Sequence, residues 1–464
     1  MTRTHDLVVI GMGVGGEEVA GRAAEAGMDV LGIEHQLVGG ECPYWGCIPS
    51  KIMVRAGNAL AEAARAGRIA GRGSVTPDWS PVASRIRQAT ADWDDEIAIQ
   101  RLEKKGGTFL RGHARITGPH EVEVDGLRVR ARRGLVITTG GQPAIPPISG
   151  LDEVDYWTNR DAVAATEAPS SLVVLGAGPV GLELAQAFAS FGTCVTLVEA
   201  ADHALPAEEP ENGEAMDQVI RAEGMRLHTG TVALAARRDG RVIAVDLSDG
   251  TTVEGERLLV ATGRRPDLRG LGVEAAGLDP DAPAVPTDAD LRAGDGIWAV
   301  GDVTGKGAFT HVAVYQGRIA AADILGVEHA PADYRAVPRV TFTDPEVASV
   351  GLSEAQARQA GLAVRVGVAA TAATARGWIH GPGAEHGVIK LVADADQGAL
   401  VGGSMMGPAA GGDRRAAGPG DPGADPGGRA AGADLPVPDV RSRPRGRAPV
   451  TVNRRHRAHP RPLR

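Results

Sequence analysis

The sequence predicts an α/β protein in which two similar strand–turn–helix units share one chain. Three observations predict it. One glycine-rich pattern occurs twice, the 464 residues exceed one ordinary domain, and 64 glycines accompany a 43% hydrophobic content suited to tightly turned α/β structure. Only 3% of residues are aromatic, so Ala, Val, Leu and Ile are expected to build the core.

The first copy of the pattern is the apolar run Leu7-Val-Val-Ile10, then Gly11-Met-Gly13-Val-Gly-Gly16, a helical stretch, Val30-Leu-Gly-Ile33 and Glu34. The second is Leu172-Val-Val-Leu175, Gly176-Ala-Gly178-Pro-Val-Gly181, a helical stretch, Val195-Thr-Leu-Val198 and Glu199. The interval from first glycine to acid is 23 in both (34 − 11 and 199 − 176). In such a Rossmann-type unit the first glycine makes the turn, the second admits a pyrophosphate, and the third lets helix and strand pack closely. The helix N-terminus attracts the phosphates, and the acid accepts hydrogen bonds from a ribose diol. A lone glycine pattern is weak, whereas two complete copies at one spacing are specific. Glu199 would repel a 2′-phosphate, and Ala200-Ala-Asp202-His203 offers no arginine to bind one, so the second site is expected to prefer NADH over NADPH.

The formal net charge of −9 argues against nucleic acid or a membrane surface as partner. The N-terminus runs straight into a strand-like segment without signal-peptide features, and no apolar run approaches a membrane span, so a cytoplasmic location is expected. Three cysteines cannot form a disulfide framework. Two of them stand in Gly39-Gly-Glu-Cys42-Pro-Tyr-Trp-Gly-Cys47-Ile-Pro-Ser-Lys51, and no second pair exists to complete a zinc site. A redox-active pair fits best; the alternative is two inert buried thiols. Residues five apart on an ideal helix diverge, so the segment is expected to be irregular between the cysteines, with Pro43 and Gly46 allowing it. Cys47 would then open a helix, where thiol pKa values fall, with Lys51 one turn on. Cys194, in a strand-like run, reads as small apolar filler.

With these motifs the sequence resembles the pyridine nucleotide–disulfide oxidoreductase family over residues 5 to about 406. The resemblance also rests on Thr138-Thr139-Gly140, Ala261-Thr-Gly263-Arg-Arg-Pro266, Val300-Gly-Asp302 and Phe342-Thr-Asp-Pro-Glu-Val-Ala-Ser-Val-Gly-Leu352. It implies FAD at the first turn and NAD at the second. Cys42 would be the interchange thiol, and Cys47 the charge-transfer thiolate against the flavin. Lys51 would sit near the reducible flavin nitrogen, paired with Glu183. Asp302 would bind the ribityl chain, and His311 would lie where the chain passes the flavin, with a helix cap as the alternative role of its side chain. The implied domains are two Rossmann-type dinucleotide-binding units, 1–148 with 266–335 for FAD and 149–265 for NAD, and a truncated α+β dimerisation domain at 336–411. Val82–Glu103 reads as helical and Thr108–Val136 as small antiparallel strands.

Two departures bear on function. Glu41 and Pro43-Tyr-Trp45 replace the usual Thr and Leu-Asn-type residues around the first cysteine; Tyr44 and Trp45 would either line a site for a flat acceptor or pack under the flavin. Residues 412–464 are a Gly/Pro/Ala/Asp/Arg string that cannot build a core. They are expected to be disordered or the product of a shifted reading frame near residue 411, with a basic tail for acidic polymers as the rival. The family's His-Pro element with its downstream Glu has no clear match, and His459-Pro460 is not assigned to it. The expected homodimer and full turnover are therefore in question. The expected reaction runs NADH to FAD to Cys42–Cys47 to an acceptor, or the reverse. Dihydrolipoamide, the donor in the reverse direction, is the first choice of substrate; mercuric ion and a quinone are alternatives, and an inactive FAD-binding scaffold is the alternative of another class. No metal site is expected.

Overall fold

The structure, a computed structural model, describes residues 2–412. Its first sheet runs Arg292–Gly294, Ile297–Ala299, Leu127–Ile137, Thr2–Ile10, Val30–Glu34 and Thr108–Arg111. The central pairings are parallel, with Leu7 opposite Val30 and Gly134, and Ile297 opposite Leu135. Parallel sheets are covered on both faces, and accordingly Leu7, Val8, Val9, Ile10, Leu135, Val136 and Ile137 are all buried. A second parallel sheet, in the order Arg226–His228, Cys194–Val198, Ser171–Leu175 and Arg257–Val260, comes from chain lying between Leu127–Ile137 and Ile297–Ala299. It carries an antiparallel three-stranded flap, Ala233–Asp239, Val242–Leu247 and Thr252–Gly255. Where the chain passes from one sheet to the other and back, Gln142–Pro143 and Arg264–Arg265 pair as a short antiparallel ladder. The third sheet is antiparallel throughout, in the order Pro338–Thr341, Glu346–Gly351, Ala399–Gly407, Val388–Asp394 and Val364–Ala370.

One helix locks the three sheets together. Cys47–Ile69 packs on Pro179–Ser190, and Gly57 allows the close approach, since a Cβ there would stand 3.1 Å from Ser190 Oγ. Met53 from the first helix and Leu184 and Phe188 from the second share one apolar cluster with Val347 and Met406 of the third sheet. The same seam carries charge: the buried Lys390 ammonium lies 2.8–2.9 Å from Glu209, Glu211 and Glu354.

Three local expectations are corrected. Val82–Glu103 is two helices, Ser80–Ala89 and Glu96–Lys104, parted by Ala91, Asp92 and Trp93 at φ of 51°, 53° and 62°. Left-handed backbone costs about 1–2 kcal/mol per non-glycine residue, and no Gly or Pro announces it. Within Thr108–Val136, only Ala114–Gly118 and Glu121–Val124, with the start of Leu127–Ile137, are antiparallel; Thr108–Arg111 joins the parallel sheet. Cys194 is exposed at the start of its strand and fills no core. No helix among the described residues is long and apolar enough to cross a membrane. Except for Gly412, the segment 412–464, with His459-Pro460, lies outside the described residues.

Candidate active site

The two glycine turns repeat each other atom for atom. Gly11 has φ +90° and Gly176 φ +97°, conformations open to glycine. A Cβ on Gly16 would fall 2.2 Å from Gly11 O, and one on Gly181 2.0 Å from Gly176 O. At Gly13 and Gly178, by contrast, a Cβ would meet nothing within 4 Å, so each middle glycine faces open space at a helix N-terminus. The acids then close the turns: Glu34 accepts from Met12 N (2.9 Å) and Gln36 N (2.8 Å), Glu199 from Ala177 N (2.7 Å) and Ala201 N (2.9 Å). Burial opposes ionisation of Glu34, but hydrogen bonds from His35 and the main chain hold its carboxyl below the usual range.

Beside the first turn, Thr138 donates to the carbonyls of Ile10 and Gly11, while the hydroxyl of Thr139 is buried and has no protein partner. Gly140, at φ +63°, and Gly263, at φ +115°, both leave the Cβ direction open. Asp302 follows Gly301 at the end of the adjoining strand. Burial pushes its carboxyl up, against the pull of Arg264 and with a further push from Glu41. An open glycine turn at a helix N-terminus, an unpaired buried hydroxyl and a carboxylate at the strand end are groups that a flavin dinucleotide's phosphates and hydroxyls can pair with, so the residues present fit FAD.

The redox segment folds as a four-residue helical turn, Glu41–Tyr44, then a break at Trp45–Gly46, then the long helix beginning at Cys47. The interruption therefore lies at Trp45 and Gly46, while Pro43 is accommodated inside the short turn. Gly40, at φ +66°, brings the segment against the first glycine turn, where a Cβ would stand 2.9 Å from Gly13 Cα. The thiols of Cys42 and Cys47 interact directly and are driven apart in acidity. Cys42 is pushed up by its bond to Cys47 and by burial. Cys47 is held down by the same bond against the opposing effect of burial, with help from the Thr310 hydroxyl, 3.3 Å away, and the charge of Lys51.

Lys51 Nζ lies 2.5 Å from Glu183 Oε2 and 4.8 Å from the centre of the Phe342 ring. Glu183 is buried, and its other oxygen accepts from Phe342 N at 2.9 Å, so the carboxylate is fixed by the third sheet. His311 does not cap its helix. Its ring stacks on Phe309 at 5.4 Å, and the hydroxyl that reaches Cys47 belongs to its neighbour Thr310. Thr310 is 263 positions from Cys47, so only the fold reveals it.

Sequence reading also missed a cluster around Glu41. Arg160 and Arg264 pair with its carboxylate, and Asn159 donates both to it (3.2 Å) and to Trp45 O (2.9 Å). Trp45 stacks on Trp93, with ring centres 5.5 Å apart, and the indole N–H of Trp93 is buried without a partner. Tyr44 is buried and donates to Asp94 O. Among the described residues, no group of three or more His, Cys, Asp or Glu is placed to hold a metal ion.

The chain is similar to known proteins. The signature described as pyridine nucleotide-disulphide oxidoreductase matches residues 5–317, and that of the corresponding dimerisation domain matches residues 337–414. A mercuric reductase of Staphylococcus aureus is 34% identical over 87% of this chain and 74% of its own length. A dihydrolipoyl dehydrogenase of Thermus scotoductus is 35% identical over 88% of this chain and 89% of its own. Among solved structures, the HOCl-induced flavoprotein disulfide reductase RclA of Escherichia coli, as its Cu(II) complex, matches with a TM-score of 0.77 at 27% identity, covering 88% of this chain and 91% of that one. The chain belongs to the pyridine nucleotide-disulphide oxidoreductase family and is an FAD-dependent oxidoreductase that works with a pyridine nucleotide on a sulfur centre.

Proposed function

We propose that the chain is an NADH-preferring reductase of small disulfides of the lipoamide class, able to run in either direction, with Cys42 meeting the substrate. The observation that carries this reading is the placement of two free cysteines on either side of the break before the long helix, with the Thr310 hydroxyl 3.3 Å from Cys47 Sγ and the Lys51–Glu183 pair one turn on. FAD, when bound, supplies the two-electron relay between nicotinamide and thiol pair. Gly11, Gly13, Gly16, Glu34, Thr139, Gly140 and Asp302 would hold it, with Lys51 and His311 toward its ring end. Gly176, Gly178, Gly181, Glu199 and Gly263 would hold the nicotinamide nucleotide. No arginine follows Glu199 in the segment Ala200–His203, which supports NADH over NADPH.

In the reductive direction Cys42 loses its proton to Cys47, the thiolate nearest to it. The Cys42 sulfur attacks the acceptor disulfide and one substrate thiolate leaves, taking the proton from Cys47. Cys47, returned to thiolate with support from Thr310 and Lys51, then attacks the Cys42 sulfur of the mixed disulfide. The second substrate sulfur leaves as thiolate and takes up a proton from solvent, and the Cys42–Cys47 disulfide is regained. Lys51 offers a fixed positive charge beside this pair, and Glu183 holds it there.

A mercuric-ion acceptor is the second reading, supported by the 34% identity to a mercuric reductase and by the affinity of paired thiolates for soft metals. A quinone reading is weakened, because the rings of Tyr44 and Trp45 are engaged inside the protein. The match at 337–414 and the exposed Val366, Val368, Trp378 and Ile379 support a homodimer. The test is an anaerobic NADH titration of the FAD-loaded protein, followed by turnover with lipoamide, Hg(II) and a quinone, each repeated with Cys42→Ser. A long-wavelength absorbance band at two electrons and lipoamide turnover that Cys42→Ser abolishes are expected. Direct bleaching without a band and quinone turnover untouched by Cys42→Ser would sink the thiol route. Flavin reduction with no acceptor turnover would favour the scaffold.

A further inference from the structure

Glu41 precedes the first redox cysteine, yet its carboxylate is spent on residues of the inserted nucleotide-binding unit. One oxygen accepts from Arg160 Nε at 3.0 Å and from Arg160 Nη2. The other accepts from Arg264 Nη1 at 3.3 Å and Asn159 Nδ2 at 3.2 Å. These partners come from two separate stretches. Asn159 and Arg160 begin the helix Asn159–Ala164, and Arg264 lies in the outgoing strand of the two-stranded crossing, opposite Pro143.

Each partner makes a second bond that stiffens the junction. Asn159 also donates to Trp45 O, so one amide spans both ends of the turn that carries Cys42. The Arg160 guanidinium lies 5.7 Å from the Trp45 ring centre. Arg264 donates to Gly141 O, and the crossing is further tied by Ala144 N to Gly263 O (2.9 Å) and Thr262 Oγ1 to Ala144 O (2.7 Å). The ion pair is three-quarters shielded, with Glu41, Arg160 and Arg264 side chains 28%, 24% and 23% exposed. Burial opposes the charge on Glu41, yet Arg264 and Arg160 hold its carboxyl below the usual range, so it stays ionised at neutral pH.

We propose that Glu41 is a positioning residue that clasps the redox segment to the inserted unit, through Arg160 at its first helix and Arg264 at its exit, and so keeps the nicotinamide site in its binding-competent arrangement. The inference rests on assigning the Gly176–Gly181 turn to the nicotinamide nucleotide. Two domains joined by only two crossings can tilt about them, and a clasp across both restricts that tilt. When a competent arrangement is only partly populated, apparent affinity falls by that fraction.

The test compares FAD-loaded wild type with Glu41→Gln, Glu41→Ala and Arg160→Gln. It measures NAD⁺ binding by calorimetry and amide hydrogen exchange at 141–144 and 262–265. The NAD⁺ dissociation constant is expected to rise roughly tenfold in Glu41→Ala, as for a competent fraction near a tenth, and less in Glu41→Gln. Exchange in the crossing should quicken, with FAD content unchanged. Arg160→Gln should reproduce the effect from the other side of the bond, so a failure of Glu41→Ala to fold leaves the proposal exposed to test. The same ratio is expected in a Cys42→Ser background, because NAD⁺ binding does not use the thiols. Unchanged NAD⁺ affinity and exchange in all three variants, with slowed thiol–disulfide exchange, would overturn the clasp and leave Glu41 serving the redox segment alone.

Discussion

Around Gly11–Gly16 and Gly176–Gly181 the chain meets the same steric demands to within a few tenths of an ångström, but what surrounds the two turns differs. The first is enclosed. Gly39 N donates to Met12 O at 2.7 Å, Gly40 rests against Gly13, and Val300 Cγ1 stands 2.7 Å from where a Gly15 Cβ would be. The second is crossed by Leu205 N, which donates to Ala177 O, and leaves Val180 43% exposed. One backbone solution thus serves two kinds of access, with the redox segment as the lid that distinguishes them. This difference supports a nucleotide built in at the first turn and one that exchanges at the second.

The largest effects should come from filling the third glycine of either turn. Gly16→Ala and Gly181→Ala each force a Cβ into a carbonyl and should cost about 3 kcal/mol in denaturant unfolding. If the turns differ as proposed, only Gly16→Ala will also purify without FAD. Gly13→Ala and Gly178→Ala sharpen the contrast. Both should fold within about 0.5 kcal/mol of wild type, since their Cβ atoms enter open space, and each should weaken only its own nucleotide. Loss of NADH binding in Gly13→Ala would break the comparison.

A smaller effect is expected from the acids. Glu199→Ala should reduce the preference for NADH over NADPH, measured as the ratio of kcat/KM, by about tenfold, a change of ~1.4 kcal/mol. Glu34→Ala should leave that ratio alone. The smallest concerns pH. The Cys47 thiol is pushed down to about 6, so its thiolate is present above that pH and lost as pH falls through it. Alkylation of Cys47 in the reduced protein should show that midpoint, and Lys51→Met should move it upward. Gly178→Ala, in the other turn, should leave it in place.

What could be read from the sequence follows from how local each constraint is. The glycine turns are legible because the third glycine of each packs on the carbonyl of the first, five residues back, and the acid follows at a fixed spacing. Glu34 and Glu199 are legible for the same reason. The start of a helix at Cys47 followed from the incompatibility of a five-residue spacing with a continuous helix. The contact between Lys51 and Glu183 came only through resemblance, since 132 positions separate them. Thr310, Arg160 and Arg264 carry no local sign of their partners. The left-handed turn at Ala91–Trp93 hid for a different reason: no Gly or Asn marks it, and the stacking of Trp93 on Trp45 joins distant positions.

That stacked indole pair, inclined at 26°, gives the enzyme an optical probe of its own. Two coupled chromophores at this distance should produce a paired signal in near-ultraviolet circular dichroism, and one of them lies between the cysteines. Oxidation, reduction or loosening of the redox segment would then be visible in the unlabelled protein as a change in that signal's shape.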